Sequence, residues 1–210
     1  MNNSSSIFDK NALNYDGWYE KHFYAYHSEL EAVRRFIPEH GLGLEIGTGT
    51  GRFSTPFNIS LGVEPSKSMA VIAEKRGITV HNTVAEDLPF CKEHFDFILM
   101  ITTLCFVDDP VRALLEAYRI LSSNGQLIIG ILDKNTELGK IYESKKSSNK
   151  FYSLSKLYST SEVLSLLRDA GFRKIQTCQT IFSNPELMQT IDAVKDGYGK
   201  GLFVVINSYK

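Results

Sequence analysis

Short, almost wholly apolar runs alternate with segments of helical periodicity along most of this chain. Leu42–Ile46, Leu61–Glu64, Ile78–Thr83, Phe95–Ile101 and Gln126–Ile131 have the length and composition of strands, and Lys174–Thr180 and Leu202–Ile206 follow late. Between them lie helices. SELEAVRRFI puts Leu30, Val33 and Ile37 on one face, and SKSMAVIAEKRG opens on a Ser66 cap and closes at Gly77. DPVRALLEAYRILSSNG takes Asp108 or Asp109 as cap and Pro110 in its first turn, with its stop predicted at Asn124-Gly125. STSEVLSLLRDAGF carries a Ser159…Glu162 capping box and a Gly171 stop. Strands buried on both faces and joined by helices predict an α/β fold, a doubly wound seven-stranded sheet that is mostly parallel. The linker SNPELMQTIDAVKDGYGKG has room only for a short helix and a turn, so the last two strands are expected to form an antiparallel C-terminal edge hairpin. In such a sheet the binding crevice lies at the carboxyl ends of strands one, two and four.

Composition narrows the class. The chain has 210 residues, 43% hydrophobic and 22% charged, with a formal net charge of −1. That suits one domain over residues 1–210 and gives no general basic surface for nucleic acid. The longest apolar runs, FILMI and LIIGIL, are far too short to span a membrane, and MNNSSSIFDK lacks the charged-then-apolar layout of a secretory signal. Cys91, Cys105 and Cys178 are widely separated and form no metal-ligand spacing, so no metal site is expected and a reducing cytoplasm suits them. The stretch 137–162, rich in Ser, Lys and Tyr, is either a surface insertion or a cap over a substrate pocket; residues 134–160 are the candidate cap.

The first predicted strand runs into GLEIGTGTGRF, with Gly47, Gly49 and Gly51 at alternate positions. In the dinucleotide fingerprint the third glycine would fall at 52, where this chain has Arg52. A tight strand-to-helix turn with exposed backbone N–H groups serves several ligands. Glu45, two residues before the turn, separates them: a phosphate gains nothing from a carboxylate, whereas a ligand bearing an ammonium group does. S-adenosylmethionine has an ammonium, a sulfonium and an adenosine, and no phosphate. Glu64, seventeen residues beyond Gly47, ends the second strand, where a carboxylate can accept from both ribose hydroxyls. That feature alone fits a nicotinamide cofactor equally well. In TVAEDLPF, the Ala85 N–H and the carboxylate of Glu86 or Asp87 are candidates to read the adenine edge.

With LEIGTGTGRF, GVEPSKSM, AEDLPF, FDFILMITTLCFVDDP, ALLEAYRILSSNGQLIIG and EVLSLLRDAGF in that order, the chain resembles the class I S-adenosylmethionine-dependent methyltransferases of the small-molecule, LPF-motif type over roughly residues 41–175. FDKNALNYDGWY is similar to the family's leading segment. The resemblance implies a Rossmann-like fold, S-adenosyl-L-methionine as cofactor and a small-molecule acceptor. It puts Glu45, Gly47, Thr48, Gly49 and Gly51 at the donor's methionine end, Glu64 and Pro65 at the ribose, and Ala85 and Glu86 at the adenine. Ile101 and Thr102 would meet the methionine moiety, and Tyr15 would close the pocket.

Two positions depart from the family. Val84 stands where many relatives have Asp, and Phe106 where many have His, so Phe106 either stacks on a planar substrate or fills the wall. The DPPY-type loop of base-amino methyltransferases is absent, its place reading ITTLCF, which argues against nucleic-acid acceptors. Residues 1–37 form a candidate helical lid in which Tyr15, Trp18 and Tyr19 either shape the acceptor pocket or simply pack on the sheet. No catalytic base stands out, so a donor-binding protein without turnover remains an alternative, as does a nicotinamide-dependent oxidoreductase.

Overall fold

The computed structural model describes residues 3–210; residues 1 and 2 of the candidate lid lie outside it. An N-terminal pair of helices, α1 (Asn3–Lys21, kinked at Asn11) and α2 (Phe23–Arg34), precedes the first strand, β1 (Gly43–Ile46). The chain continues through β2 (Leu61–Val63), α3 (Lys67–Lys75), β3 (Thr79–His81), β4 (Phe95–Ile101), α4 (Pro110–Ile120) and β5 (Leu121–Leu132). After α5 (Glu137–Lys145) come α6 (Thr160–Asp169), β6 (Arg173–Thr180), β7 (Lys195–Asp196) and β8 (Phe203–Tyr209).

The sheet order is β3-β2-β1-β4-β5-β8-β6-β7. Strands β1 to β5 pair in parallel, and β8 lies antiparallel between β5 and β6. The seven expected strands are all present, with the antiparallel pair in place. The eighth, β7, is a two-residue addition on the outer edge of β6, with both residues exposed. β4 shows why its sequence is apolar throughout: Ile98 and Met100 enter one core with Leu114 and Ala117 of α4, while Phe97, Leu99 and Ile101 enter the other with Leu30 and Val33 of α2. Each face of the strand feeds a different hydrophobic layer.

Caps follow the sequence closely. Ser66 accepts from the Met69 N–H, Asp109 rather than Asp108 caps α4, and the Ser159–Glu162 capping box closes on both sides. One boundary moves. α4 ends at Ile120 instead of running to Asn124-Gly125, because Leu121 is already extended (φ −69°, ψ 137°) and pairs with Phe95 on β4. The turn signal of Asn124, with φ of 65°, serves an irregularity inside β5.

Candidate active site

The strand order reverses between β1 and β4, and the carboxyl ends of β1, β2 and β4 meet there. The loop after β1 is laid against β2: the N–H groups of Gly47 and Thr48 both donate to the Val63 carbonyl, at 2.8 and 3.0 Å. Gly47 has φ of +72°, and a Cβ on it would lie 2.3 Å from the Thr103 side chain. Gly51 has φ of +84°, with room taken by Ile78, whose Cδ1 would be 2.4 Å away. Only glycine meets both demands at these positions. The chain then turns so that Gly49 N–H points at Glu64.

Glu64 is nearly buried, and two backbone donors preset its carboxylate: Ser66 N–H reaches Oε1 at 2.8 Å and Gly49 N–H reaches Oε2 at 2.9 Å. Burial pushes this carboxyl up to about 7, against those two hydrogen bonds. Each oxygen retains a lone pair beyond the one its N–H occupies, which is the acceptor pair that two vicinal ribose hydroxyls require. The cleft in front of it, about 670 Å³ of empty space, is also lined by Tyr15, Gly47, Gly49, Pro65, Ala85, Glu86, Ile101 and Thr102. The residues present therefore fit an adenosine with an amino-acid tail.

Three of the sequence-predicted loop residues stand behind that wall. Glu45 is 1% exposed; its Oε2 accepts from Ser54 Oγ and from Thr48 Oγ1, the latter at 3.1 Å. Burial pushes its carboxyl up to about 8, the two hydroxyls opposing. Thr48 and Gly51 are likewise buried off the cleft. Glu86 lines the cleft, but its Oε1 accepts from the N–H groups of Asp108 and Asp109 at 2.8 and 3.0 Å, tying the β3–β4 connection to the start of α4.

A second cavity adjoins the first and shares Tyr15 and Thr102 with it. Trp18 and Tyr19 line this second space, whereas Phe106 lines the first. Phe8, which motif spacing did not single out, bridges the two ends of the chain's cover. Its ring packs edge-on against Tyr15 and Phe106, at 5.5 and 5.1 Å, and stacks on Phe151 at 5.9 Å. Phe8 and Tyr15 lie on opposite sides of the Asn11 kink, so their contact depends on that bend and no simple helical spacing announces it. Thr102 separates the cavities with φ of 49°, a left-handed conformation that costs a β-branched residue on the order of 1–3 kcal/mol. Its N–H is held by the Gly130 carbonyl at 2.8 Å.

The N-terminal cover is clamped through Asp16. Its carboxylate accepts from Arg52 Nε and Nη2 at 2.9 and 2.8 Å, from Arg76 Nη1 and Nη2 at 2.8 and 2.9 Å, and from Thr50 Oγ1 at 2.7 Å. Arg52, the residue that breaks the dinucleotide fingerprint, thus ties the glycine loop to α1. Asp9 adds a second tie, accepting from Ser66 Oγ at 2.7 Å and Ser68 N–H at 3.0 Å.

Residues 44–129 match a family model described as a methyltransferase domain. The chain is 50% identical to a crystal structure of a SAM-dependent methyltransferase from Thermotoga maritima, with a TM-score of 0.95 and coverage of 98% of this chain and 99% of that one. That protein is described as a possible histamine N-methyltransferase. The chain belongs to the class I S-adenosylmethionine-dependent methyltransferases. It is also 48% identical to an uncharacterized protein of Methanocaldococcus jannaschii, over 98% of this chain and 99% of that protein. A ubiquinone biosynthesis O-methyltransferase of Cereibacter sphaeroides is 27% identical over 70% of this chain and 66% of its own length. The methyl donor of this methyltransferase is S-adenosylmethionine, and the nicotinamide alternative left open by Glu64 is closed. Among the described residues no helix is long and apolar enough to cross a membrane.

Proposed function

We propose that this methyltransferase acts on a small organic acceptor seated in the second cavity, with the donor in the first. The observation that carries this reading is that the two spaces adjoin across shared wall residues, Tyr15 and Thr102, so an acceptor in the second lies next to a donor in the first. The description of the Thermotoga protein supports an acceptor of that size. When bound, S-adenosylmethionine supplies a methyl carbon on a sulfonium, already activated for in-line displacement. This chain's residues need only align the nucleophile and exclude water. In this proposal Glu64 takes the ribose, with Pro65, Ala85 and Glu86 beside the adenosine. Gly47, Gly49, Ile101, Thr102 and Tyr15 surround the methionine end. Glu45 and Thr48 act from beneath, fixing the loop through Ser54. Trp18 and Tyr19 belong to the lid and acceptor wall, Phe106 to the donor-side wall, and residues 134–160 cover the acceptor.

Calorimetric titration is expected to show binding of S-adenosylmethionine and its demethylated product and none of NAD. Glu64→Ala should weaken both by about 1–3 kcal/mol, the cost of leaving polar partners unpaired. No change in affinity would remove Glu64 from the ribose. A methyl-labelled donor incubated with acceptor pools should label small molecules; label confined to protein or RNA fractions would overturn the small-acceptor reading.

A further inference from the structure

The acceptor cavity contains a carboxylate that neither the motif order nor the family match singles out. Glu29 of α2 is 5% exposed and lines the second cavity only. Among the described residues, no hydrogen bond or ion pair reaches its side chain. A buried carboxylate without donors is costly, and proteins normally pair it or neutralise it. Here burial pushes the carboxyl up to about 8, so the fold holds it largely as the neutral acid at pH 7. Around it stand ring systems: Tyr15, Trp18, Tyr19, Tyr142 and Tyr152. Aromatic faces attract cations and offer little to anions. The two other charged groups lining the cavity, Lys145 and Glu186, are solvent-exposed and opposite in sign.

We propose that Glu29 is the recognition group for a protonated amine, and that the acceptor is a small cationic amine whose apolar body lies among these rings. This rests on the reading of the second cavity as the acceptor site. An ammonium group would give Glu29 the counter-charge and donors that the fold withholds, and ring faces would complete its desolvation. A neutral or anionic acceptor would leave the carboxylate as it is, or face repulsion when it ionises. Glu29 is absent from the first cavity, so it holds the acceptor without touching the donor.

The test uses the full chain saturated with S-adenosylhomocysteine and titrated with three probes of one shape: phenethylamine, phenethyl alcohol and hydrocinnamate. The wild type is expected to bind the amine about ten-fold or more tighter than the alcohol, and the carboxylate not measurably. Glu29→Gln should bind amine and alcohol alike while keeping its affinity for S-adenosylhomocysteine, which also reports that the variant is folded. Glu29→Asp should retain part of the preference for the amine. Equal binding of amine and alcohol by the wild type would overturn the proposal. So would an undiminished preference in Glu29→Gln, or binding of none of the three probes to the product-loaded protein. Failure of S-adenosylhomocysteine itself to bind would instead sink the donor-site reading beneath it.

Discussion

Asp16→Ala is expected to destabilise the protein by about 2–4 kcal/mol at pH 7 and to weaken S-adenosylmethionine binding in the same variant, since breaking a partly buried ion-pair network leaves charges uncompensated. Asp16 is the common partner of Arg52 and Arg76, whose side chains are 15% and 26% exposed against its own 17%. Its removal leaves two guanidinium groups facing each other, with Glu20 as Arg52's remaining carboxylate, at 2.5 Å. The loss reaches the cleft proposed for the donor because Tyr15 is the neighbouring residue on α1 and Thr50 and Arg52 belong to the glycine loop. Against the cost of burial, the hydrogen bonds from Arg52, Arg76 and Thr50 hold the Asp16 carboxyl well below the usual carboxylate range. Its stabilising contribution is therefore complete above the unfolded-state value near 3.8 and is lost only as pH falls through the lower folded value. Urea denaturation from pH 8 to pH 4 should show a nearly constant gap between wild type and variant, since both titrations lie below that range. The chain's one tryptophan, Trp18, lies two residues further on and reports on α1 directly. A gap under about 0.5 kcal/mol at pH 7 would mean that the clamp contributes no more than an exposed pair.

Much of this arrangement is written in local sequence, and the remainder has a physical reason for being hidden. Strand β4 reads clearly because its alternate residues fill two cores, so every position is apolar except Asp96. The end of α4 does not, since Leu121 suits a helix and only its pairing with Phe95 withdraws it. β7 has two exposed residues and is defined wholly by its neighbour β6. The first cleft is legible for a topological reason: the glycine loop, Glu64 and Thr102 sit at strand ends, which the sheet brings together whatever the loops do. Spacing shows that Glu45 adjoins the loop, but Ser54, nine residues later, determines that its carboxylate is tucked beneath it. The second cavity depends on tertiary assembly, because α1 and residues 137–154 contribute rings, and α2 the Glu29 carboxylate, with no fixed spacing among them. Glu29 did leave a signal. It stands four residues after Ala25 and four before Val33, both fully buried, so an acid occupies the core face of a helix otherwise read as packing.

Glu29→Gln is expected to be more stable than the wild type at pH 8.5 by on the order of 3–4 kcal/mol, and to lose that advantage at pH 5. The carboxyl titrates near 4.5 when unfolded and near 8 when buried in the fold. Protonated, Glu29 is tolerated, so its contribution is intact below the unfolded value. As pH rises through the folded value, native protein must either hold an unpaired carboxylate or keep a proton that the unfolded chain releases. Stability is lost across that window at up to about 1.4 kcal/mol per pH unit, and glutamine, which does not titrate, is spared the loss. Glu45 and Glu64 are raised in the same direction, to about 8 and about 7, but both are common to the two proteins and cancel in the difference. Urea midpoints at half-unit intervals from pH 5 to pH 8.5 measure it. A difference that stays flat would mean that Glu29 is solvated or paired at every pH, and the cavity would then have no unmet charge to offer a ligand. If the difference grows as expected, saturating phenethylamine should shrink it at pH 8.5, because a cation that binds only the folded carboxylate stabilises the wild type and not the variant. The residue that costs this fold stability in the absence of an acceptor is then the one that selects the acceptor.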